Sequence, residues 1–217
     1  MAACPHPVPP LVPVALAPAT RDSAVAWTRA TLPGGRTAIR FRWRYEDGRV
    51  KYAGRGSARM APPDSLRFDY AGPFGFGSGA AVVIGDTVAW ADPAASFRSL
   101  VPAIPMLWAA LGMVQPPAVD AQVFGLTEPQ RAIWRFVTSR DTLDFVATLG
   151  GGAERRLEAE WRRDGKVVAR SGTRLDSLAR PVGARIDFPE AKARFELTVV
   201  AVDTAAVIPP ALWRSRR

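Results

Sequence analysis

A two-residue alternation runs through most of the chain and restricts it to a β architecture. In RTAIRFRWRYEDG (36–48), the odd-numbered positions from Ile39 to Tyr45 are apolar and the positions between them are Arg. Successive side chains of a strand point to opposite faces of a sheet, so this stretch has an apolar face and a basic face. Asp47-Gly48 is typical of a hairpin turn. The stretch therefore predicts one arm of an antiparallel hairpin.

The same alternation recurs to the end of the chain and predicts about ten or eleven strands joined mostly by tight turns. Two segments instead have helical spacing. One is a short amphipathic helix from about residue 22 to 31, which Pro33-Gly34-Gly35 ends. The other is an apolar helix over roughly 104–113. We expect a mainly β (α+β) fold, in which a sheet of this many strands has to curl.

The first twenty residues differ in composition from the rest. PHPVPPLVPVALAPA (5–19) contains six prolines and no charged residue. Proline at this density favours an extended spacer. We therefore divide the chain into a proline-rich tether, 1–20, and a single domain, 21–217.

Residues able to carry out catalysis are scarce. Cys4 is the only Cys and His6 the only His, and both lie in the proline-rich segment. A disulfide framework, a cysteine-based metal site and a histidine-based triad are therefore excluded. Carboxylates such as Asp144 and Glu160 fall on the arginine-rich faces, where solvated ion pairs are expected. We predict no enzymatic activity, no catalytic residue, no metal and no cofactor.

The chain has a net charge of +9, and all but three of its 29 basic side chains are Arg. Such a charge favours anionic partners. A GC-rich gene, which replaces Lys codons by Arg codons, explains the same excess. The Arg residues are dispersed and form no basic arm or recognisable motif, so nucleic-acid binding is not expected.

The apolar faces of the strands and of the second helix are rich in aromatic residues. A curled sheet of this width has a concave face that its own side chains need not fill, which makes this face a candidate lipid-binding cavity. Its predicted lining is Phe41, Trp43, Tyr45, Phe68, Tyr70, Trp90, Ile104, Leu107, Trp108, Leu111, Trp134, Phe136, Phe145 and Trp161. The alternative is that these residues form a filled core.

The order of the segments resembles a known family, the LolA/LolB lipoprotein carriers and related half-barrel outer-membrane lipoproteins. The resemblance covers almost the whole chain after residue 20. It rests on the helix ending at Leu32-Pro33, the strands RTAIRFRWRYEDG and VKYAGRGSARMAPPDSLRFDYAGPFG, the insert VPAIPMLWAALGM and the closing FELTVVAVDTAAVIPPALW. It implies a strongly curved, incomplete antiparallel barrel with helices plugging its open side. It also implies that the concave face takes up acyl chains without a cofactor or a catalytic residue.

In the membrane-anchored branch of that family, an apolar loop after the third strand contacts the membrane. The matching positions here are Gly72-Pro73-Phe74-Gly75, so the resemblance makes Phe74, with Phe76, the candidate membrane contact. The alternative is that both side chains fold back under the edge of the sheet.

Ala2-Ala3-Cys4 resembles the end of a lipoprotein signal peptide, whose cysteine receives the lipid. The charged and apolar regions that precede such a cysteine are not in the sequence. A longer reading frame, a trimmed chain or a chance match all explain this. We expect Cys4 to be lipidated, which places the protein at the outer membrane facing the periplasm. Without lipidation it is expected in the periplasm.

These observations predict a non-enzymatic lipoprotein, expected to be a monomer. Its expected ligand is a lipid or a lipoprotein acyl chain, bound in the concave cavity for carriage or for insertion at the outer membrane. Its expected membrane contact is the N-terminal lipid anchor. The alternative is an envelope scaffold or sensor of the same fold with a filled core.

Overall fold

The computed structural model describes residues 9–13, 15–72, 77–94, 103–148 and 154–214. In this part of the chain, twelve antiparallel strands form one curved, unclosed sheet. The strands are β1 (Thr37–Glu46), β2 (Lys51–Ala61), β3 (Ser65–Ala71), β4 (Gly79–Ile84), β5 (Thr87–Asp92), β6 (Gln122–Glu128), β7 (Arg131–Val137), β8 (Asp141–Thr148), β9 (Arg155–Arg163), β10 (Lys166–Leu175), β11 (Pro181–Phe188) and β12 (Ala193–Asp203). The helices are α1 (Arg21–Thr31) and α2 (Ile104–Ala110), and a 3-10 turn spans Pro210–Trp213.

The strand order is β5-β4-β3-β2-β1-β12-β11-β10-β9-β8-β7-β6. Strands that are consecutive in sequence pair with each other, apart from β5 and β6, and β1 pairs with β12 in the middle of the sheet. The edges, β5 and β6, are not paired with each other, which leaves the barrel incomplete. This confirms the predicted fold class.

The alternation in β1 has the predicted result. Ile39, Phe41, Trp43 and Tyr45 are buried on the concave face, and the Arg residues between Phe41 and Tyr45 are exposed. The hairpin begins at Asp47, whose side chain accepts hydrogen bonds from the backbone N–H groups of Arg49 and Val50.

The sequence predicts about ten or eleven strands, and the structure has twelve in the described residues. The alternation is weakest in β10, whose buried positions are the small or polar Ala169, Ser171 and Thr173. Helix α2 packs directly on this strand, and the Thr173 hydroxyl donates a hydrogen bond to the Ala109 carbonyl at 2.7 Å. Because the helix lies so close to β10, this strand has small side chains beneath it. Strands that no helix approaches can have large apolar side chains on the concave face.

Both helices have clear ends. The Ser23 N–H donates to the Thr20 hydroxyl at the start of α1, and Leu32 ends the helix just before Pro33. Helix α2 ends at Ala110, three residues short of its predicted end, and Gly112 follows with a φ of 82°. That left-handed conformation suits glycine and turns the chain away.

The proline-rich segment differs from its prediction as a tether. We call residues 9–13 and 15–20 the N-terminal strap. Its first part, through Leu16, packs on the convex side of the sheet, and residues 17–19 pair with the edge strand β6. Val12 is buried with Ile133 and Val146, and Ala19 donates its N–H to the Val123 carbonyl at 2.9 Å. An extended proline-rich chain has few internal hydrogen bonds but can pack on a sheet. The described part of the predicted tether therefore packs on the sheet, and residues 1–8 lie outside the described residues.

Candidate functional site

The aromatic face of the sheet is mostly a packed core. Phe41 stacks on Phe68 with ring centroids 5.3 Å apart, and Trp43 stacks on Phe195 at 6.3 Å. Trp108 of α2 is buried in the same core and donates its indole N–H to the Gly85 carbonyl at 2.7 Å. Eleven residues predicted to line a lipid cavity are buried in this core: Phe41, Trp43, Tyr45, Phe68, Tyr70, Ile104, Leu107, Trp108, Trp134, Phe136 and Phe145.

Three other predicted lining residues have different surroundings. Leu111 is buried at the edge of the same core and also lines the large cavity described below. Trp161 is partly buried at the far end of the concave face, where Asp141 accepts its indole N–H. Trp90 points to the convex face, because it pairs with Val82 of β4, which pairs with the outward-facing Arg67 of β3. On that face the Arg67 guanidinium lies 5.3 Å from the centroid of the Trp90 ring. Its assignment to the concave face was wrong because the bulge between Val82 and Val83 shifts the alternation of β5.

An apolar cavity of about 760 Å³ lies at one end of the sheet, which we call the end cavity. The C-terminal part of α1 forms one wall, from Trp27 to Thr31, and the chain after α2 forms another, from Leu111 to Met113. The chain from Leu32 to Gly35 and Thr204 after β12 also line it. Residues at or near the ends of the strands complete the wall: Thr37, Ile39, Met60, Thr127, Ala132, Ala147, Thr148, Arg155, Arg156, Leu157 and Leu175. The turn from Leu178 to Pro181 forms part of the rim.

The cavity exists because the two helices cover only part of the concave face. Helix α2 packs on β9, β10 and β11, and α1 reaches β7 through Trp27, which stacks on Trp134 at 5.6 Å. Pro33 ends α1 and Gly112 turns the chain away after α2, so neither helix extends over this end. The space between them is lined mainly by aliphatic side chains.

Arginines surround the mouth of the end cavity. Arg156 pairs with Glu154 at 2.6 Å, and Arg180 pairs with Asp176 at 2.7 Å. Burial raises the pKa of Asp176, but hydrogen bonds from Arg180 and Leu178 together outweigh burial and hold this pKa below the ordinary value of 3.8. Among the described residues that line the cavity there is no Asp or Glu. The cavity thus combines an apolar interior with a cationic mouth.

The inward register of β9 was the signal in the sequence that could have located this mouth. Leu157 and Ala159 are buried, and Trp161 packs partly against the same core, so Arg155 occupies the next inward position. The charged Arg155 follows the apolar inward-facing residues of β9, so it marks the point where the packed core of the concave face ends. A prediction that follows only the apolar positions of the strand misses this residue.

The predicted membrane loop and lipidation site cannot be compared with this geometry. Phe74, Phe76 and Cys4 lie outside the described residues. Strand β3 ends at Ala71 before the loop, and β4 begins at Gly79 after it. Leu66 lies near the other end of β3. Leu66 pairs with Met60, which lines the end cavity. The chain therefore leaves β3 on the side away from the cavity mouth.

Other sites are minor. A pocket of about 360 Å³ at the opposite end of the sheet has a charged lining that includes Asp187, Lys192 and Arg194, and Asp187 is already paired with Arg194 at 3.2 Å. In the ranges that the structure describes, no group of three or more His, Cys, Asp or Glu side chains is placed to hold a metal ion. No helix there is long and apolar enough to span a membrane.

Comparison with known proteins identifies the fold. No protein-family model matches the chain, and no curated protein matches it. Among solved structures, a LolA superfamily protein from Nitrosomonas europaea is similar with a TM-score of 0.58 and 8% identity, over 91% of this chain and 98% of that one. A Vibrio parahaemolyticus domain described as a putative outer membrane lipoprotein-sorting protein domain is similar with a TM-score of 0.56 and 9% identity, over 90% of this chain and 100% of that one. The chain therefore has a LolA/LolB-like fold.

Proposed function

We propose that this chain is a non-enzymatic, lipid-binding protein of the bacterial cell envelope. In this proposal the end cavity holds a lipid or lipoprotein acyl chain, which the protein carries or inserts at the outer membrane. The similar solved structures include a lipoprotein-sorting domain, which supports an envelope role for this fold.

The apolar end cavity is the observation that carries this proposal. Its volume of about 760 Å³ falls within the range of roughly 300–1,000 Å³ typical of small-molecule sites. Each methylene group moved from water into such a site stabilises the complex by about 0.8 kcal/mol. An acyl chain therefore gains much of its binding free energy from the cavity wall alone. The proposed site is thus the end cavity rather than the aromatic core.

The proposal includes a place in the cell. Lipidation of Cys4 would anchor the protein to the outer membrane, facing the periplasm, and Phe74 and Phe76 would contact the same membrane. Metabolic labelling with palmitate tests the anchor, since label that persists in the Cys4→Ala variant contradicts it.

Displacement of a fluorescent fatty-acid probe tests the cavity. Ala147 lines the end cavity and is 8% exposed, so in Ala147→Phe an aromatic ring occupies space that a ligand needs. We expect saturable probe binding to the wild type and at least a tenfold loss in this variant. Val200→Phe is the matched control, because Val200 is 60% exposed on β12 and does not line the cavity. Equal binding by both variants, or no saturable binding to the wild type, contradicts the proposal.

A scaffold or sensor role is the second candidate, and the filled aromatic core favours it. Nearly all the residues predicted as a lipid-binding lining are packed against one another. Organic extraction of the purified protein, followed by mass spectrometry, separates the two functions. A lipid recovered in stoichiometric amount supports the carrier, and a lipid-free protein without probe binding supports the scaffold.

A further inference from the structure

Arg155 occupies an unusual position at the mouth of the end cavity. It is the first residue of β9 and lies in the inward-facing register with Leu157, opposite Leu175 of β10. All three residues line the cavity, and Arg155 is partly buried. The guanidinium therefore belongs to a wall that is otherwise mostly apolar.

The other arginines near this mouth have carboxylate partners. Glu154 lies 2.6 Å from Arg156 and 3.7 Å from Arg174, and Asp176 lies 2.7 Å from Arg180. Within the described ranges, the Arg155 side chain has no hydrogen bond or ion pair, and neither acid reaches it. A partly buried cation without a partner is costly, and an anion that enters the cavity removes that cost. A guanidinium binds a carboxylate or phosphate through two parallel hydrogen bonds.

The size of the end cavity limits the number of acyl chains it holds. A methylene group takes up about 30 Å³, close to the share of one water molecule in the liquid. A sixteen-carbon chain thus needs about 500 Å³, and the cavity provides about 760 Å³. One chain with its head group fits, whereas two or three chains exceed this volume.

We propose that the end cavity binds a single-chain amphiphile with an anionic head group, and that Arg155 binds that head group. This inference rests on the proposed lipid-binding function and specifies its ligand class. A fatty acid and a lysophospholipid share the required chemistry, which is one acyl chain ending in a carboxylate or phosphate.

Competition for the fluorescent probe at pH 8 tests the head-group preference with ligands of one chain length. The ligands are palmitate, palmitoyl lysophosphatidylglycerol and the uncharged monopalmitoylglycerol. A charge-assisted hydrogen bond should make at least one anionic ligand bind about ten- to a hundredfold more tightly than monopalmitoylglycerol. Whichever of the two anions binds more tightly identifies the source of the head group.

Variants assign the preference to Arg155. In Arg155→Gln we expect the anionic and uncharged ligands to bind within about threefold of each other, and in Arg155→Lys we expect part of the preference to return. Arg174→Gln is the matched control, because it removes the same charge from the next strand at a residue outside the cavity lining. It should keep the full preference. Urea unfolding of each variant verifies that it folds.

The possible failures are distinguishable. If no ligand displaces the probe, the lipid-binding function itself is wrong. If anionic and uncharged ligands bind the wild type equally, or if Arg155→Gln keeps the wild-type preference, lipid binding stands and the head-group assignment is wrong. If dipalmitoyl phosphatidylglycerol binds as tightly as its lyso form, the single-chain assignment is wrong.

Discussion

Several aromatic side chains of the concave face lie over glycines on the neighbouring strand. Phe41 is paired with Gly56, Trp43 with Gly54, and Trp134 with Gly125. A Cβ atom built at Gly56 would lie 2.4 Å from Phe41 Cε2, and one at Gly54 would lie 2.7 Å from Trp43. These glycines are therefore required because the aromatic rings occupy the space of their missing side chains, and this packing fills the core.

A substitution at one such glycine tests that packing. In Gly56→Ala the new methyl group must displace Phe41 and also meets the Asp69 carbonyl oxygen at 2.9 Å. We expect a loss of about 1–3 kcal/mol in the free energy of unfolding. Chemical denaturation in urea measures it.

The control for this experiment is Gly172→Ala. Gly172 also lies within a strand, and a Cβ atom there meets nothing within 4 Å. The substitution should leave stability unchanged or raise it by about 0.5–1 kcal/mol, because alanine loses less backbone entropy on folding. Equal effects of the two variants would show that the ring–glycine contacts do not restrict these positions.

The residues of the core could be predicted from the sequence, but the position of the site could not. Alternation assigns Phe41 and Trp43 to the concave face, because the side-chain period of a strand is fixed. It does not show whether a facing helix fills the space above each residue. That depends on where α1 and α2 end, and Leu111 is the one predicted lining residue that reaches the end cavity. Polar exceptions such as Arg155 are better indicators of an opening than the apolar residues around them.

At the level of elements, the N-terminal strap covers a buried group of charges on the convex face. Asp144 of β8 and Glu160 of β9 are adjacent, and both are fully buried. Arg135 donates to Asp144 at 2.6 Å, and Arg162 bridges the two carboxylates. The strap joins the group because the Val12 carbonyl accepts a hydrogen bond from Arg135 at 3.0 Å. The prediction of solvated ion pairs at these carboxylates was wrong because the strap excludes water from them.

Neutralising Asp144 should therefore destabilise both the sheet and the strap. Asp144→Asn leaves Arg135 and Arg162 with less negative charge in a buried site, and we expect a loss of about 3–5 kcal/mol in unfolding free energy. Hydrogen exchange should also increase at the amides of Ala19 and Gly125, which bond the strap to β6. Urea denaturation and hydrogen exchange measure the two effects.

Asp187→Asn is the control for the buried charges. Asp187 pairs with Arg185 at 2.7 Å, but its side chain is 35% exposed. An exposed ion pair contributes about 0–1 kcal/mol, so this variant should be close to the wild type. A strap that exchanges normally in Asp144→Asn would contradict the role of the buried group in holding it.

The strap illustrates what a composition rule leaves open. Proline density predicts an extended chain, and residues 15–20 form no helix before the start of α1. The rule does not say whether an extended chain is solvated or packed. The outward-facing Ile133 and Val146 create the apolar surface on which Val12 packs. This partner lies more than a hundred residues away, so local composition does not reveal it.

At the scale of the whole molecule, the first part of the strap and the C-terminal 3-10 turn lie against the convex face, while the concave face is filled except at one end. The C-terminal 3-10 turn accepts the Trp90 indole N–H at the Trp213 carbonyl at 3.2 Å, and the strap packs on β7 and β8. Each terminal segment thus supports the half of the sheet that it crosses.

Acid should unfold this protein through the loss of its carboxylate partners. Hydrogen bonds from Arg163 lower the pKa of Asp141, hydrogen bonds from Arg140 lower that of Asp164, and backbone N–H groups of the β1–β2 turn lower that of Asp47. Each pKa is below the ordinary value of 3.8 that applies to the unfolded chain. These groups therefore stabilise the fold above that pH, and their contribution is lost as the pH falls through the folded values.

The urea midpoint should consequently stay nearly constant from about pH 7 to 5 and fall below about pH 4, where growing positive charge adds repulsion. The Asp141→Asn variant should be less stable than the wild type at neutral pH, and the difference should shrink in acid because the wild type loses the same interaction. Asp86→Asn is the control, since Asp86 lies on the β4–β5 turn and the one hydrogen bond of its side chain in the described residues comes from Thr87. Its acid transition should follow that of the wild type. An Asp141→Asn curve parallel to the wild type at every pH would show that the Asp141–Arg163 pair does not contribute to acid unfolding.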